Sequence, residues 1–203
     1  MDKLRGILII MLLAIAAVGC RTAQVAEPLT QSLAGSDEDM QIAFWHTLAE
    51  RKLTSNDEAM HGMLLFLDQQ DPAEDYQGRM DSLKSRGLLP EDFARPANEA
   101  VSRGTLAVML VNALEIEGGL ILRLLPRSPR YATRELQYVG LYPRSSPNQT
   151  FSGPEFLGII GRAEDYQRIH PVRRPAKLMP DEAGPEGSDL ESDTGESSQA
   201  KPL

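Results

Sequence analysis

Few side chains in this 203-residue chain could do chemistry, and their spacing limits what that chemistry could be. There is one cysteine, Cys20, so an internal disulfide is impossible. The histidines are His46, His61 and His170. Glu58 and His61 stand three apart, the spacing that carboxylate-bridged metal sites use on a helix. Such sites need a second Glu-x-x-His and further carboxylates, and the chain has no second one. His61 is therefore expected on a helix surface beside a capping Glu58. No H-E-x-x-H, G-x-S-x-G, phosphate-cradling Gly-rich loop or Cys/His cluster occurs. These residues predict no catalytic site, no metal and no cofactor, and hence a role other than an enzyme's. Arg123, Arg127, Arg130, Arg134 and Arg144 gather positive charge in a chain whose formal net charge is −8. Internal salt bridges and an embrace by the acidic tail account for them ahead of a basic patch for an anionic envelope polymer. The acidic balance argues against nucleic acid as a partner.

The chain opens on a segment that reads as an address. Lys3 and Arg5 form a basic head, and Ile7 to Val18 is an unbroken apolar run. That run is shorter than the roughly 20 residues of a spanning helix and has the pattern of a secretory signal. It ends in Ala17-Val18-Gly19-Cys20. These four residues resemble the lipobox of bacterial lipoproteins, in which a small-residue tripeptide precedes the cysteine that becomes lipidated. The resemblance implies a signal peptide over 1–19, lipid on Cys20, a membrane as partner and a place in the cell envelope. Two or more acyl chains suffice for stable anchoring. Arg21, not Asp, follows the cysteine, which favours the outer membrane over the inner. Arg21 to Ala34 has no helical period and contains Pro28, so residues 20–35 are expected to be a lipidated tether. Such a chain would span roughly 20 Å on average and about 50 Å when extended.

The elements that would position any site recur. Leu83 to Leu110 contains L-K-S-R-G-L-L-P and then V-S-R-G-T-L-A-V-M-L; Leu136 to Ile160 contains L-Q-Y-V-G-L-Y-P and then F-S-G-P-E-F-L-G-I-I. Each copy reads as a helix end, a Gly stop, a turn and a Ser-capped second helix. Leu106, Met109 and Leu110 follow Ser102 at the same offsets as Phe156, Ile159 and Ile160 follow Ser152. Those offsets share one helical face. A weaker third copy starts at Ser55 with Glu58 in a capping box, and Gly62 predicts thinner packing there.

Read in order, Ser36 caps a first helix with Met40, Ala43, Phe44, Thr47 and Leu48 inside, and Trp45 is a second packing contact rather than a sugar-stacking platform. Met60, Met63, Leu64 and Leu67 line the second helix. Tyr76, Met80 and Leu83 line the third, which stops at Gly87. The fourth follows Ser102, is the most apolar and ends or bends at Gly118-Gly119; Leu120 to Leu125 is a short helical turn or buried connector. Ser128 caps the fifth, with Pro129 at its first position and Ala132, Leu136 and Val139 inward, and Ser152 opens the sixth. The expected architecture is all-α, with degenerate helix–turn–helix repeats over 36–166. Residues 167–203 form a disordered acidic tail, with seven acidic and no basic residues over Asp181 to Ala200.

With these residues in place, the unit resembles an S-layer homology domain. Gly87, Phe93, Pro96 and Val101-Ser102-Arg103-Gly104-Thr105-Leu106 follow that family's order of Gly-led turn, Phe-x-x-Pro and Thr-Arg-Ala-Glu-Phe-like helix start. Gly140 and Phe151-Ser152-Gly153-Pro154-Glu155-Phe156 follow it again. The family's Arg and Glu never occur in one copy here: Arg103 lacks the Glu, and Glu155 lacks the Arg. The resemblance implies non-catalytic binding of cell-wall polysaccharide in grooves between repeats, with Arg103 as the candidate polymer contact. A scaffolding role is the companion reading, an accessory role toward another envelope protein is the alternative, and an enzyme with an unrecognised site stands behind both.

Overall fold

Three serines begin three helices, and the fold is built around those beginnings. A computed structural model describes residues 22–35, 37–118 and 128–171. The expectations for Cys20 and its signal, the Ser36 cap, Leu120 to Leu125, Arg123, Arg127 and the tail from 172 onward lie outside the described residues. Those residues form an all-α fold with seven helices and no named strand among them: α1 Thr30–Leu33, α2 Glu38–Leu48, α3 Asn56–Asp68, α4 Tyr76–Ser85, α5 Arg103–Ala113, α6 Pro129–Tyr138 and α7 Gly153–Ile169.

The Ser55, Ser102 and Ser152 hydroxyls each accept the backbone N–H three residues on, from Glu58, Thr105 and Glu155. Ser55 and Ser152 complete capping boxes. A helix start leaves further N–H groups unpaired, and here a neighbouring copy takes them. Asn56 donates to the Glu99 carbonyl (2.8 Å), Arg103 to that of Gln149 (2.7 Å) and Gly153 to that of Arg51 (2.9 Å). The first copy is thus tied to the second, the second to the third and the third back to the first. The next N–H repeats the pattern twice, from Asp57 to Ala97 (3.1 Å) and Gly104 to Pro147 (2.8 Å). The third copy has Pro154 at this position, which has no N–H to give. Thr54 sits in the middle, accepting from Val101 (2.9 Å) and donating to Phe151 (3.0 Å). At Gly153 the chains approach so closely that a Cβ would lie 1.6 Å from the Leu48 carbonyl oxygen.

The helix ends of the second and third copies match bond for bond. Gly87 and Gly140 take φ of +70° and +83°, the left-handed stop that glycine adopts without strain. Leu88 donates to Leu83, and Leu141 donates to Leu136. The apolar positions expected from spacing form one core: Leu106, Met109, Leu110, Phe156, Ile159 and Ile160 are all buried in it with Phe44, Leu48, Met60, Met63 and Leu64.

Several expectations are corrected. Asp37, one residue past Ser36, caps α2 through the Met40 N–H, and Met40 is 41% exposed, outside the inner stripe. Gly62 does not thin the packing: Phe156 and Trp45 close to about 3 Å of the point where a side chain would start, and α3 is buried from Asn56 through Leu65. Helix α5 ends at Ala113, before Gly118, because Glu115 takes the left-handed turn at φ 49°. Pro129 does occupy the first turn of α6, but Ser128 makes no side-chain cap bond. Helix α7 continues past Tyr166 to Ile169.

The largest correction concerns the expected tether. Val25 and Leu29 are buried in the domain. Ala23 accepts from Ala100 (2.8 Å) and Val25 donates to Asn98 (2.8 Å), so residues 23–25 run along 98–100 as an added edge. The sequence has no helical period there because the segment is a docked strap whose polar backbone is satisfied by a neighbouring loop.

Candidate functional site

A groove of about 600 Å³ opens between α2, the end of α3 and α7. Helix α2 contributes Glu38, Gln41 and Trp45, and α7 contributes Leu157, Ile160, Gly161 and Glu164. Both sets recur at three- and four-residue steps, which puts each on one helical face. Leu65, Phe66 and Gln69 close the end, where Gln69 takes φ 60° and its carbonyl accepts from the Gln41 amide at 3.1 Å. The half-buried Trp45 meets Phe44 edge-on at 5.0 Å. The lining therefore offers an aromatic ring, an aliphatic wall, two side-chain amides and two carboxylates. These can hold a ligand through stacking, apolar contact and hydrogen bonds.

A second constellation lies inside the protein. Arg79 is 1% exposed and bridges two carboxylates, Nη1 to Asp57 (2.7 Å) and Nε to Asp71 (2.5 Å). His61 Nδ1 lies 2.6 Å from the same Asp71 oxygen as Arg79 Nε. His61 is fully buried, which corrects the surface position expected for it. Thr30 from the strap donates to Asp57 (2.5 Å), and the Leu29 N–H donates to Glu58 (3.0 Å). Burial opposes charge on Asp71, but bonds from His61 and Arg79, the Arg79 charge and the Ala73 N–H hold its pKa below the ordinary carboxylate value. The carboxylates are thus consumed by internal partners. Neither Asp57, His61, Asp71 nor Arg79 lines the groove. Among the described residues, no three His, Cys, Asp or Glu side chains are placed to hold a metal ion.

Arg103 occupies a seam between copies. This residue, expected as the candidate polymer contact, is 6% exposed and lies outside the groove lining. Its Nη2 pairs with Glu155 at 2.5 Å, and its guanidinium lies 4.7 Å from the centre of the Phe151 ring. The Arg and Glu that never share a copy in the sequence therefore meet across copies. The Ser152 N–H does most to hold Glu155 below its usual pKa, and Arg103 and the Ser152 hydroxyl assist against partial burial. Arg130, Arg134 and Arg144 are exposed, on α6 and the loop after it.

Sequence reasoning missed Arg79, the anchor of the buried cluster. A signal was present: Arg79 falls between Tyr76 and Met80 on the inward stripe of α4, where a charge requires a partner. The groove had only the off-stripe Trp45 as its sign. Among the described residues, no helix is long and apolar enough to cross a membrane. In comparisons with known proteins, the chain matches no family model, no curated protein and no solved structure.

Proposed function

We propose that this chain is an envelope lipoprotein, anchored by lipid on Cys20, whose helical domain binds a cell-wall glycan without catalysis. The groove beside Trp45 carries this reading. An indole face suits the C–H face of a sugar ring, and Gln41, Gln69, Glu38 and Glu164 supply partners for ring hydroxyls. Among the described residues the lining holds two carboxylates and no Lys or Arg, which favours a neutral or amine-bearing glycan over an acidic one. The Ala17-Val18-Gly19-Cys20 sequence supports the anchor, and the resemblance of the repeats to S-layer homology units supports the choice of a wall polymer.

Trp45 is the only tryptophan, so intrinsic fluorescence reports on the groove directly. Titration of the Cys20→Ser protein with solubilised wall glycans should give a saturable spectral change. Gln41→Ala should weaken it by about tenfold, the worth of one or two lost hydrogen bonds. A folded protein that shows no saturable change with any wall fraction rules out the glycan. The anchor is tested separately: Cys20→Ser should move the protein from the detergent phase to the aqueous phase.

A further inference from the structure

Resting on the lipidation of Cys20 proposed above, we infer that the strap holds the domain flush against the bilayer, with the face around Ala23, Asn98 and the 50–53 loop in the headgroup layer and the groove end turned away.

Chain length limits how far the domain can stand from the membrane. Ala23 is fixed to the domain through the Ala100 N–H, and Val25 through the Asn98 carbonyl, both at 2.8 Å. Pro28 and Leu29 are buried, and Thr30 is bound to Asp57. Only Arg21 and Thr22 stand between Cys20 and this docked chain. Three residue steps span at most about 11 Å even when fully extended. Acyl chains in the hydrocarbon hold their cysteine at the headgroups, so the strap cannot begin farther from the membrane than that. A free tether over residues 20–35 would have allowed several times this height.

The same contacts select which face is presented. Arg51 donates to the Glu27 carbonyl (2.9 Å) and so ties the 50–53 loop to the strap. A shallow hollow of about 340 Å³ lies between Val25, Ala26 and Glu50 to Leu53. The exposed Lys52 gives this face one cation for a headgroup phosphate, beside the carboxylate of Glu50. Ser55 pairs with Ala100, next to the strap, at the start of α3. Thirteen helical residues then carry the chain about 20 Å to Gln69 in the groove. The anchor and the groove therefore sit at opposite ends of α3.

Depth-dependent quenching tests this on the full lipidated chain. With the Cys20 thiol acylated, a cysteine introduced by Glu50→Cys or Gln70→Cys is the one free thiol for an environment-sensitive fluorophore. In phosphatidylethanolamine/phosphatidylglycerol vesicles with headgroup spin labels, quenching should be several-fold stronger at position 50 than at position 70. Equal quenching at both positions in vesicle-bound, acylated protein overturns the inference. A flexible Gly/Ser insert of about a dozen residues after Arg21, roughly 20 Å of added reach, should lower quenching at position 50 to the level at position 70. Persistence of the difference with that insert shows that the short connection is not what sets the height, and also overturns it. A protein whose intact mass lacks acyl chains and which stays off vesicles fails at the anchor instead, so the two failures are distinct.

Discussion

Among the described residues two arginines are buried, and their surroundings differ in kind. Arg79 lies inside, with Asp57 and Asp71 on its guanidinium, His61 behind Asp71 and Thr30 behind Asp57. Arg103 lies at a seam between copies, paired with a carboxylate that is itself about half exposed, while its Nε and Nη1 find no hydrogen-bond partner among the described residues. The first set fixes one segment against another by giving both carboxylates hydrogen-bond donors and a shared cation. The second fills a gap between repeats, using the Phe151 ring for much of its cover. Burial of a charge is therefore not one structural role: its cost is set by what remains when the charge is removed.

The largest expected effect follows from that difference. Arg79→Met leaves two buried carboxylates without their cation and should cost about 3–5 kcal/mol in urea unfolding. A loss below about 1 kcal/mol, the range of an exposed pair, would show that the cluster does not hold the strap and α4 in place. Arg103→Met keeps an aliphatic cover on Phe151 and leaves Glu155 close to water, so about 1 kcal/mol is expected. A double-mutant cycle with Glu155→Gln should return a coupling of similar size; a coupling as large as that of the Arg79 cluster would erase the contrast. The smallest effect is in acid. Asp71 and Glu155 are both held below their ordinary values when folded, so the unfolded chain binds more protons at low pH. Their contribution is complete above the unfolded carboxylate range near pH 4 and is lost as pH falls through the lower folded values. Arg79→Met should flatten this acid loss more than Arg103→Met does, as read from melting temperature against pH.

The repeats teach a related lesson. Their Ser starts and Gly stops are local chemistry, and the expected caps at Ser55, Ser102 and Ser152 are present. The weakest copy by sequence, the one at Ser55, is nevertheless the most completely buried of the three helices at its start. Gly62 reads as a lost side chain in isolation. In the fold it is the place where Phe156 arrives from the third copy. The off-stripe Trp45 reads as an extra packing contact, and it does pack on Phe44 and the core, but it also walls the groove. A one-dimensional stripe shows which side chains leave water. It does not show which helix they meet.

By itself the sequence determined the all-α class, the places where most helices begin and stop, and which oily positions go inside. Each of these rests on bonds and periods that act within a few residues. Only the tertiary structure decided that residues 23–30 dock, that His61 is interior, that Arg79 finds Asp57 twenty-two residues earlier, and that Arg103 finds Glu155 fifty-two residues later. Those choices depend on how distant segments are brought side by side, and a polar group takes whichever partner the packed neighbours leave within reach once water is gone.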